Sequence, residues 1–161
     1  MTLRLPLIAI AWLAAAMPLW AVDEFEQSPI NYSKATPDNV VSRLQEKLDA
    51  GKAKLRYDAD VGYVRSVLEA LNVPVSSQTL VFSKTSLQRQ RISPQAPRSL
   101  FFNDDVYVGF CLRGDVLEVS ATDSQLGTVF YTLDQHPGTP RFTRQTDSCL
   151  ICHGSSATQG F

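Results

Sequence analysis

Two cysteines, a two-residue gap and a histidine stand together at Cys149-Leu150-Ile151-Cys152-His153. Three chemistries use such a set. A covalently attached haem takes both thiols as thioethers to its two vinyl groups, and the adjacent histidine then meets the iron from the same side. A zinc ion would take Cys149, Cys152, His153 and a fourth donor, either His136 or Cys111. A disulfide would join two of the three cysteines and leave one over. Cys111 itself lies in an apolar strand pattern and reads as a buried small hydrophobe.

Residues 1–21 bear on that choice. Arg4 gives a cationic start, Leu5 to Trp20 is an uncharged apolar run, and Ala21 is a small residue at a plausible cleavage point before the acidic VDEFE. This is the pattern of a secretory signal peptide. The run is shorter than the ~20 apolar residues a spanning helix needs, and Pro6 and Pro18 interrupt it, so no membrane span is expected after cleavage. Export, to a periplasm or an equivalent compartment, favours haem c, because zinc modules dominate in the reducing cytosol. The expectation is one covalent haem c on Cys149 and Cys152 with His153 as axial ligand.

Cleavage would also remove both methionines of the chain, Met1 and Met17, leaving His136 and His153 as the histidines. The iron position opposite His153 then falls to His136, to a weaker ligand, or stays open. Arg141 and Arg144 precede the motif and are candidates for forked contacts to haem propionates. Phe142 is a candidate to pack on the porphyrin.

The elements that must position these residues are legible as patterns. Residues 22–35 read as an extended polar segment. From 36 to 148 the expected fold is α+β, two helices packed on an antiparallel β-meander, followed by a loop and the attachment segment 149–161. In TPDNVVSRLQEKLDAG, Thr36 is the expected N-cap, Pro37 the first helical residue and Gly51 the stop, with Val40, Val41, Leu44 and Leu48 at helical spacing. A second helix is expected in 59–73, with Val61, Val64, Val67, Leu68 and Leu71 on one side and Pro74 closing it. TLVFS (79–83) reads as a strand and TSLQRQRISPQAPRS (85–99) as a loop with one helical turn. SLFF, DVYVGFCL, DVLEVSAT and LGTVFYTL then read as strands separated by short turns. Val106, Val108 and Phe110 share one face; Tyr107, Gly109 and Cys111 share the other, which the N-terminal helices are expected to cover. Residues 134–147 read as a loop.

The balance of 15 basic against 16 acidic residues, with the basic ones scattered, argues against a nucleic-acid partner. No G-x-S-x-G elbow or H-E-x-x-H helix marks a hydrolase.

The runs SKTSLQRQRISP and DSCLICHGSS, within residues 25–161, resemble a family of exported bacterial cytochrome c domain-containing proteins with a single C-x-x-C-H motif. That resemblance implies haem c and electron transfer with a partner redox protein. It also implies a longer C-terminal region than this chain has after His153, so a truncated product is expected, with any downstream iron ligand or catalytic site out of view. Two other functions stay open on the residues: a haem enzyme or gas sensor with an open iron position, and an exported interaction domain clipped by a disulfide or zinc.

Overall fold

The structure is a computed structural model describing residues 24–154. The expected signal peptide and residues 155–161 of the attachment segment lie outside the described residues. Among the described residues no helix is long and apolar enough to cross a membrane.

Most of the ordered backbone is sheet. Six strands, β1 (Thr79–Val81), β2 (Arg98–Phe102), β3 (Val106–Phe110), β4 (Val116–Asp123), β5 (Gly127–Asp134) and β6 (Phe142–Gln145), pair antiparallel in chain order. The meander is as expected through β5. β6 is not, because it falls within the 134–147 stretch read as a loop. Its Phe142 pairs with Leu133 and is buried in the core, while Arg144 pairs with Tyr131. An arginine at an inward position hides the two-residue period.

Helix α1 (Val40–Asp49) starts three residues later than Pro37 would place it. The N-cap is Asn39, whose side chain accepts from Val41 and Ser42 N–H while Ser42 Oγ accepts from Asn39 N–H, a reciprocal capping box. Asp38 N–H is meanwhile claimed by the Asp123 carboxylate at 2.7 Å, outside the helix. Helix α2 (Val64–Ala70) ends on a left-handed Asn72 (φ 53°), with Val73 N–H returning to Leu68 O at 2.8 Å. Pro74 lies beyond that stop. Val41 and Leu44 of α1, and Val64, Val67 and Leu68 of α2, share one core with Val106, Val108, Leu117, Val119, Val129 and Leu133 of the sheet.

The opposite sheet face is covered differently from the expectation. Cys111 is buried at 2 % exposure, but it is the strap 86–92 that brings Ser86 and Arg91 near its thiol; α1 and α2 occupy the Val106/Val108 face. This strap is pinned to Glu118, which accepts from Ser86 Oγ and Leu87 N–H at 2.8 Å and from Arg98 at 2.9 Å. Gly109, paired with Glu118, leaves the room: a Cβ there would stand 3.2 Å from Arg98 Nε.

Residues 24–35, expected to be extended, are wound into a 3-10 turn (Glu24–Glu26) and successive tight turns. Polar residues suggested solvent there, but Tyr32 and Phe25 pull the segment onto the sheet, with the Tyr32 hydroxyl donating to Thr128 O at 3.0 Å.

Candidate functional site

The cysteine motif forms a short helix, α3 (Leu150–His153), with Cys149 as its N-cap in helical geometry (φ −76°, ψ −36°). Ile151 N–H reaches Asp147 O, His153 N–H reaches Cys149 O at 3.0 Å, and Gly154 N–H reaches Leu150 O at 2.8 Å. Asp147 thus supports the turn through its carbonyl; its carboxylate accepts from Ser148 N–H at 2.5 Å. Cys149, Cys152 and His153 stand at positions i, i+3 and i+4, which share one side of a helix. Leu150 turns the other way, into the core, and Ile151 is 75 % exposed.

Cys149 is half-buried and Cys152 exposed. Burial, reinforced by the negative fields of Glu118 and Asp147 and by Cys152, pushes the Cys149 thiol up to about 11. A redox dithiol needs the opposite, an electropositive setting that yields a thiolate near neutral pH. The His153 ring lies on Phe130 of β5, centroids 4.8 Å apart and planes at 37°. At the end of the turn, a Cβ on Gly154 would stand 2.8 Å from Phe25 Cε1, and Phe25 meets Tyr32 edge to face at 5.9 Å. The cysteine turn therefore meets aromatic rings from two distant parts of the chain.

The other sequence candidates are not brought to this turn. His136 follows the far end of β5, its Nδ1 2.6 Å from the Asp134 carboxylate. Phe130 and Asp134 are four residues apart on one strand, ~14 Å at 3.4 Å per residue. His136 and His153 therefore stand too far apart to ligate one iron in this arrangement. Arg141 pairs with Asp49 at the end of α1, at 3.2 Å. Arg144 donates to Tyr32 O and, at 2.7 Å, to Ala35 O, and its guanidinium lies 4.8 Å above the Tyr32 ring. Both arginines are thus engaged within the fold, and Phe142 is committed to the core. Phe130 and Phe25, which do meet the turn, carried no site signal in the sequence, where Phe130 read simply as a strand residue.

Among the described residues no three His, Cys, Asp or Glu side chains form a group that could hold a metal ion. A four-ligand zinc site needs such convergence. Thioether attachment does not, because the two thiols go to separate vinyl groups and only the imidazole goes to the metal.

Comparison with protein-family models, with curated proteins and with solved structures gives no match to this chain.

Proposed function

We propose that the chain is an exported c-type haem protein that passes single electrons to or from a partner redox protein, with haem held through Cys149 and Cys152 and His153 as an axial ligand. The observation that carries this is the short helical turn, which puts Cys149, Cys152 and His153 at positions i, i+3 and i+4 while Leu150 is buried in the core. The residues fit the group. Attachment adds each S–H across a vinyl C=C, so the thiol hydrogen moves to carbon and no oxidant is needed. Haem bound there would supply a one-electron store. This chain's part is to fix the turn, pack it against Phe25 and Phe130, and hold His153 for the metal.

A second function is favoured by one observation. His136 is kept at the other end of β5, and the expected mature chain has no methionine. An iron on His153 would then keep an open position for a small molecule, as in a gas sensor or a haem enzyme.

The test uses protein exported in a host with cytochrome c maturation machinery, comparing wild type with the Cys149→Ala, Cys152→Ala double variant by intact mass and pyridine haemochrome spectrum. One covalent haem in the wild type and none in the variant is expected. A colourless wild type at apoprotein mass overturns the proposal. Carbon monoxide uptake by the reduced protein separates the open-iron function from simple electron transfer.

A further inference from the structure

We infer that Phe130 is the positioning residue for His153, setting the plane of the imidazole before any haem arrives and holding it afterwards; the inference rests on the haem function proposed above. His153 is the last residue of a four-residue helix and its side chain is exposed to solvent. Rotation about the bond to a flat ring is broad and roughly two-fold. Contact with Phe130 at 4.8 Å removes that freedom.

The ring that does this is itself well held. Phe130 stands mid-strand in β5, paired with Ser120 of β4 on one side and Gln145 of β6 on the other, and its half-buried ring packs against the core. A ligand oriented by a residue on a central strand is fixed more tightly than one oriented by a loop.

Stacking and ligation are also compatible. A neutral imidazole binds a metal through a lone pair in the plane of the ring. With the centroids at 4.8 Å and the planes 37° apart, the Phe130 ring is nearer parallel than perpendicular to the imidazole, an arrangement compatible with ligation in the plane of the ring. Groups outside the metal's own ligand set are known to orient and tune ligands in this way, and their loss changes metal properties without removing the ligand.

The experiment uses the full chain with isotopically labelled histidine, as wild type, Phe130→Leu and Phe130→Tyr, each with and without attached haem. In the apoprotein the His153 ring protons are expected to show a ring-current shift and cross-relaxation to the Phe130 ring, both lost in Phe130→Leu and retained in Phe130→Tyr. The His136 signals should stay where they are. In the haem-loaded protein, Phe130→Leu should keep its haem content but move the midpoint potential and the ligand-field spectrum, with Phe130→Tyr close to wild type. A wild-type apoprotein without the His153–Phe130 cross-relaxation overturns the inference, even if Phe130→Leu fails to fold. So does a haem-loaded Phe130→Leu whose potential and spectrum match wild type, which leaves the haem function standing. A colourless wild type overturns the haem function and with it the ligand role of the stack.

Discussion

Cys149 and Cys152 are three residues apart but differ chemically. With its thiol pushed to about 11, Cys149 is roughly one part in a thousand ionised at pH 8, and it is half-buried as well. Cys152 has its side chain in solvent. Iodoacetamide at pH 8 is therefore expected to modify Cys152 of the folded apoprotein at least ~10-fold faster than Cys149, with Cys149 catching up only as the pH approaches 11. Fragment-ion mass spectrometry of the peptide carrying both residues reads the two rates separately, and equal rates would contradict the electrostatic setting described for Cys149. Cys111, buried under the 86–92 strap with its thiol also raised by burial, should stay unmodified until the chain unfolds.

Asn39 makes the N-terminus of α1 and also donates to the buried Tyr131 hydroxyl at 2.9 Å. Loss of a cap costs about 1 kcal/mol, and leaving a buried partner unpaired costs about 1–3 kcal/mol more. Asn39→Ala should thus lower unfolding free energy by about 2–4 kcal/mol, measured as a shift in urea midpoint at unchanged slope. A shift no larger than that of an exposed N-cap would mean that the Tyr131 bond contributes nothing. Element identity was legible wherever side chains alternated cleanly, as in β3, β4 and β5. It failed where a polar residue held a structural post. Asn39 was passed over because Thr36-Pro37 also fits a helix start, and β6 was missed because Arg144 faces inward. At the site, the cysteine motif and its turn were legible from spacing, whereas Phe25 and Phe130 come to it only through tertiary folding, which spacing does not encode. His136 and the two arginines looked close in sequence, yet a strand and a turn carry His136 and Arg141 away from α3, and Arg144 is spent on backbone carbonyls.

At the scale of the whole molecule, two polar side chains stitch remote segments together. Asp123, at the end of β4, is 5 % exposed and accepts from the N–H groups of Asp38, Gln125 and Leu126. Burial alone would raise its carboxyl, but these donors, with the Asn39 amide, outweigh it and hold the group below the usual carboxylate range. A carboxyl depressed in the folded state stabilises the fold above its unfolded value, ~pH 4, and that contribution is lost as pH falls through the folded value. Asp123→Asn should accordingly be less stable than wild type at pH 7, with the gap narrowing below about pH 4 in urea titrations. A gap independent of pH would show that charge plays no part. Arg144 joins β6 to Tyr32 and Ala35 across 112 and 109 positions of sequence. Arg144→Ala should cost about 2–3 kcal/mol, and Arg144→Lys should recover little, because one ammonium cannot reproduce a planar fork on two carbonyls and a ring. Thermal unfolding of the two variants distinguishes a fork from a simple charge.

That long-range clasp has a consequence in time. Contacts between residues more than a hundred positions apart form slowly, since a long loop must close before they are made. The rings that meet the cysteine turn come from Phe25 on one side of that closure and Phe130 on the other. Before closure both thiols are open to whatever modifies them; after it, Cys149 is half shut away and protonated. Any modification of Cys149 thus competes with folding, and a reagent that must reach its thiol does so more readily before the clasp closes than after.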